Sequence, residues 1–266
     1  MPFAINDACS VEHGMDFFDT SNGYPMSDSF ETVGLTETIS ERSAPAFEMR
    51  RLEPLTMKLN PQELRRITQL TLEYYDHSAG DFWIGTRNHD VSQNVAALLH
   101  YIHGAPPFTI LDFGCGPGRD LKAFSELGHI AVGLEGASRF AEMARVHSGC
   151  EVWQQDFLKL ALPDGRFDGV FANAALFHVP SQELPRVLFE LHATLKPGGV
   201  LFSSNPHGDN WEGWGQGRHG AYYDRETWHR YMLSAGFVEL IHYYRPTGRP
   251  RDQQPWLASV WRRPVS

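Results

Sequence analysis

The chain has 266 residues, 42% of them hydrophobic, enough to bury a full core as one large domain or one domain with an appendage. Its formal charge of −9 is uneven: residues 1–56 carry ten Asp/Glu against Arg42, Arg50 and Arg51, whereas the remainder holds 22 acids against 20 Lys/Arg. A body without basic bias argues against a nucleic-acid partner, and no apolar run nears the roughly 18–20 residues of a membrane span.

Cys9, Cys115 and Cys150 have neither metal-like nor disulfide-like spacing, so no metal site is expected and a reducing, cytoplasmic setting fits. The first twenty residues lack the basic start and apolar core of an export signal. Residues 1–56, rich in Ser, Thr, Asp and Glu and without period, read as a disordered acidic leader, with Met57 a candidate alternative start. The stretch MKLNPQELRRITQLTLEYYD then opens the folded domain, 57–266. Asn60 is a good N-cap, Pro61 a good first helical residue, and Glu63 lies three after the cap, so a helix is expected over Asn60 to Asp76. A second helix, Val91 to His103, ends in Gly104 and two prolines, and 57–104 reads as a helical lid before a sheet core, 105–266.

From there strands are expected at 108–113, 130–134, 151–153, 167–172 and 199–204, with helices at 119–127, 138–147 and 181–195 between them. Alternation of this kind implies right-handed crossovers and an α/β, Rossmann-like parallel sheet with helices on both faces. The segment 205–223 reads as a long, glycine-rich, aromatic loop holding Trp211, Trp214, Tyr222 and Tyr223, placed to cover a bound molecule. A helix from Tyr223 to Ala235 and strands at 237–244 and 256–262 close the chain. Their connection lacks a crossover helix, so these two strands should pair antiparallel.

The turn after the first strand, 110-ILDFGCGPGRDLKAF-124, brings Gly114, Gly116 and Gly118 to the place where ligands bind such sheets. A nicotinamide fingerprint needs glycine at 119, where this chain has Arg. Asp112, on the strand before the turn, would repel a pyrophosphate but suits a cationic ammonium. Glu135, 23 residues on, suits the two hydroxyls of a ribose, and Asp156 with Phe157 offers an acceptor and a ring face to a purine.

In LDFGCGPGRD, the acid in VGLEGA, QQDF, FDGVFANAALFHVP, LKPGGVLF and the late AGF, the chain resembles the class I S-adenosylmethionine-dependent methyltransferases in their small-molecule branch, over about 74 to 262. The resemblance implies a seven-stranded sheet of order 3-2-1-4-5-7-6 with strand 7 antiparallel, and S-adenosylmethionine as cofactor. It places Asp112, Gly114, Gly116 and Gly118 around the methionine part of that cofactor, Glu135 on its ribose, Asp156 and Phe157 on its adenine, and Asn173 near its sulfonium. It makes Tyr75 and Arg87 lid residues that fold over it. Whether Arg119 reaches the cofactor carboxylate or solvent stays open.

The partner implied is a small-molecule acceptor, methylated at O or N. A sulfonium methyl is already activated, so holding the reactants in line outweighs acid–base chemistry. His178, just after the fourth strand, is the first candidate for a base or acceptor-orienting group, and His207, after the fifth, the second. A nicotinamide-dependent oxidoreductase, a non-catalytic S-adenosylmethionine-binding protein and a protein or RNA methylase are the rival readings.

Overall fold

The computed structural model describes residues 58–265; the leader expected over 1–56 and the candidate start at Met57 lie outside the described residues. Chain order is helix α1 (Pro61–Thr86), α2 (Ser92–Tyr101), β1 (Thr109–Phe113), α3 (Arg119–Glu126), β2 (Ile130–Glu135), α4 (Ser138–Ser148), β3 (Glu151–Gln154) and β4 (Phe167–Asn173). Then follow α5 (Leu184–Thr194), β5 (Leu195–Pro206), β6 (Trp211–Gly215), β7 (Arg218–Tyr222), α6 (Arg225–Ser234), β8 (Val238–Arg245) and β9 (Trp256–Arg262).

The Asn60 side chain accepts from the N–H groups of Gln62 and Glu63, and Glu63 Oε2 accepts from Asn60 N at 2.7 Å, a complete capping box with Pro61 in the first turn. The helix does not end near Asp76. It runs through Gly80, around which there is open space, because Ile67, Thr71 and Ala79 are buried along it; interior burial outweighs the roughly 1 kcal/mol that a glycine costs.

Seven strands form one sheet in the order β3-β2-β1-β4-β5-β9-β8. The first five pair parallel, β9 runs antiparallel to both β5 and β8, and β8 and β9 are the sixth and seventh strands of the sheet. The expected order is therefore the observed one. Alternate residues of the central strands serve two cores. Leu111, Val170 and Leu201 face α5 and α6 with Val187, Leu191 and Met232, while Ile110, Phe171 and Phe202 face α2 and α3 with Leu98, Leu121 and Phe124. Helix α2 thus belongs to the layer on the sheet, and of the described residues before β1 only those of α1 lie across the strand ends, packing on α4 and β7.

The expected loop at 205–223 is instead a hairpin. β6 and β7 pair antiparallel, joined by Gln216 and Gly217, whose φ values of 51° and 82° suit a two-residue turn matched to strand twist. Glycines at 213, 215 and 220 conceal the alternation that marks strands. Tyr223, expected in that loop, is buried in the core beside Trp228 and Tyr231.

Candidate functional site

Gly114, Gly116 and Gly118 have φ values of 74°, 52° and 91°, a left-handed turn that side chains adopt poorly. At Gly118 a Cβ would lie 2.8 Å from Ala144 Cα, so α3 and α4 pack through that position. At Gly116 the nearest atoms to such a Cβ, on Phe82 and Phe140, are 3.9 Å away. Gly116 therefore serves by its backbone, and its N–H donates to Glu135 Oε2 at 2.9 Å while Ala137 N donates to Oε1 at 2.8 Å. Burial pushes the Glu135 carboxyl up to about 7, against the lowering effect of those N–H groups.

Asp112 is 2% exposed, and its Oδ2 has no hydrogen-bond partner among the described residues. Burial, and then the neighbouring Asp120 carboxylate, hold it well above the usual range, while Arg119 opposes them. A buried carboxylate oxygen without a donor is costly, so this position fits a cationic group. Arg119 does not face open solvent. It grips Asp120 with two N–H groups at 2.6 and 2.9 Å and donates a third to the Thr86 carbonyl at 2.9 Å, tying the last turn of α1 to the glycine turn. Arg87 caps α1 directly after that carbonyl.

Asn173 has both ends of its amide engaged, donating to Asp120 and accepting from Asn94, which in turn accepts from the Tyr243 hydroxyl. Asp120 and Asn94 were not foreseen. The available signal was Asn94 on the apolar stripe of α2, where it is fully buried beside Val95 and Leu98. Phe157 stacks on Phe113 with centroids 4.3 Å apart, and Asp156 Oδ1 accepts from Leu158 N.

Above this floor lies α1. Leu72 covers Gly136, Tyr75 packs against Phe82 and Phe140, and Asp76 accepts from Arg139 N at 2.8 Å and from the Ser138 hydroxyl, capping α4 from outside. A groove of about 510 Å³ between α1 and α4, lined by Trp83, Pro117, Met143 and His147 among others, opens beside the glycine turn.

Tyr75 reaches His178, with its hydroxyl 2.7 Å from Nε2, and Nδ1 lies 2.7 Å from the His219 carbonyl. A carbonyl only accepts, so Nδ1 carries the hydrogen, and Nε2 accepts from Tyr75. Burial lowers His178 to about 3, leaving the ring neutral. His207 lies on the other side of the β5 end: its N–H donates to Pro255, and its ring meets Tyr244 of β8 edge-on. Of the hairpin aromatics, Tyr222 packs near Phe177, while Trp211 and Trp214 are exposed on opposite faces of β6.

Residues 111–203 match a protein family described as a methyltransferase domain. Together with the strand order above, that match gives the chain a methyltransferase domain on the class I S-adenosylmethionine-dependent methyltransferase fold. It is 34% identical over 114 residues to the sterol 24-C-methyltransferase ERG6B of Gibberella zeae, across 39% of this chain and 29% of that protein. The chain thus spans less than a third of that relative. Among solved structures it is similar to the 1,6-didemethyltoxoflavin-N1-methyltransferase of Burkholderia thailandensis, with TM-score 0.62, 22% identity, and coverage of 77% of this chain and 91% of that one. It is also similar to the [4+2]-cyclase SpnF, with TM-score 0.61, 16% identity, and coverage of 75% and 97%. The last pairing illustrates that this fold alone does not name a reaction.

Proposed function

We propose that the protein transfers a methyl group from S-adenosylmethionine to a small-molecule acceptor. The observation that carries this is the unpartnered, buried oxygen of Asp112 beneath the left-handed glycine turn, a site suited to an ammonium and unsuited to a pyrophosphate. In this reading Asp112 and the backbone of Gly114, Gly116 and Gly118 hold the methionine part, Glu135 the ribose, and Asp156 and Phe157 the adenine. Asn173, held by Asn94 and Asp120, borders the sulfonium, and Tyr75 and Arg87 close over the cofactor from α1. The cofactor supplies an activated methyl. The chain's residues bind, align and exclude water.

His178 positions Tyr75 rather than taking the acceptor's proton, because its one accepting nitrogen holds the Tyr75 hydroxyl, its other nitrogen donates to the His219 carbonyl, and its buried ring resists charge. Oxygen and nitrogen acceptors are both compatible with such a site. To test the reading, S-adenosylhomocysteine release is measured when S-adenosylmethionine and a fractionated cell extract are supplied. Turnover supported by a low-molecular-mass fraction is expected. Turnover only with the protein or RNA fraction, or with none, would overturn it.

A further inference from the structure

Arg218 opens β7, the hairpin strand that packs on α1 and on the turn holding His178. Its guanidinium lies 5.3 Å from the centroid of the Tyr74 ring and donates to the Tyr74 hydroxyl at 3.2 Å and to Gln216 at 3.4 Å. All these partners are neutral. The hairpin's own acid, Glu212, is turned away to Ser181 and His219. Among the described residues Arg218 forms no ion pair, and its Nε is buried without a partner. The charge is nonetheless felt at three groups around the site, since it lowers the pKa of Tyr75, Tyr222 and His178. Tyr75 is itself raised overall, by burial.

A half-buried cation set among aromatic rings, with a donor left over and no counter-ion among the described residues, is an arrangement an anion would complete. We propose that Arg218 is the charge anchor of the acceptor site and that the acceptor is a small aromatic anion, its ring received by Tyr74 and Tyr222. This rests on the methyl-transfer reading.

The full chain, loaded with S-adenosylhomocysteine, is titrated calorimetrically with 4-hydroxybenzoate, phenyl phosphate and the uncharged 4-hydroxybenzamide. At least one anion is expected to bind about tenfold or more tighter than the amide, which is about 1.4 kcal/mol or more, within reach of a charge-assisted contact of this kind. Arg218→Gln should abolish that preference, Arg218→Lys should keep part of it, and neither should change S-adenosylhomocysteine affinity. Equal binding of amide and anions, no binding of either anion, or an undiminished preference in Arg218→Gln overturns the proposal. So does a loss of S-adenosylhomocysteine affinity in that variant, which would assign Arg218 to the cofactor carboxylate. If the unmodified protein fails to bind S-adenosylhomocysteine at all, the methyl-transfer reading falls, and the same anion comparison on the unloaded protein still decides the role of Arg218.

Discussion

Glu135 accepts two backbone N–H groups and is still held near 7, because burial outweighs them. Its folded-state value lies above the ordinary 4.5, so the stability tied to its proton is full below about pH 4.5 and is lost as pH rises through about 7, on the order of 3 kcal/mol. Asp112 is shifted in the same direction by burial and by Asp120. An ammonium and ribose hydroxyls both call for ionised carboxylates, so ligand affinity should rise with pH, up to about tenfold per unit for each group below its pKa. Between roughly pH 6 and 8, S-adenosylhomocysteine affinity measured by calorimetry is expected to rise about tenfold. Glu135→Gln should bind more weakly by about 1–3 kcal/mol and show a shallower slope. A flat profile in the unmodified protein would remove these acids from the ligand.

Helix α1 is held over the site from three directions: Asp76 on the start of α4, Tyr75 on His178, and Arg119 on the Thr86 carbonyl. Ala137, the N-cap of α4, lacks a side-chain oxygen, so Asp76 supplies the cap from another element. Asp76→Ala should cost about 1 kcal/mol of stability in denaturant unfolding and loosen α1, with weaker S-adenosylhomocysteine binding and faster proteolysis near Tyr75. Unchanged affinity and unchanged cleavage would show that α1 does not close the site. The hairpin is the second element that matters here. It is separate from the main sheet, and it brings Arg218 and the His219 carbonyl to α1 and His178.

At the scale of the molecule, the strand order reverses direction between β1 and β4, and there the sheet's carboxyl ends leave a crevice for a ligand. A ligand bound only by the folded state at a hundredfold excess over Kd adds about 2.7 kcal/mol, which for a domain of this size raises the melting midpoint by about 5–11 °C. S-adenosylhomocysteine should produce that shift in a thermal melt and NADH should produce none. A shift with NADH alone would favour the oxidoreductase reading.

Local order in this chain was legible before any tertiary structure. The capping box at Asn60, the buried strands, the glycine turn and the antiparallel end all follow from period, caps and turn chemistry, which act over a few residues. The motifs in their order also pointed to the methyltransferase domain that residues 111–203 match. Boundaries set by distant packing were not legible. Helix α1 continues past Asp76 because Ala79 and Phe82 meet Phe140, and the hairpin forms where glycines had hidden its alternation. The partners of the polar groups were beyond reach for the same reason. Tyr75 finds His178 103 positions away, Arg119 finds Thr86, and Asn94 finds Asn173. The residue types at the site were therefore determined locally. Which of them meet, which nitrogen of His178 carries its hydrogen, and that Arg218 lacks an ion-pair partner among the described residues were decided only by folding, because each depends on atoms far apart in the chain being buried together.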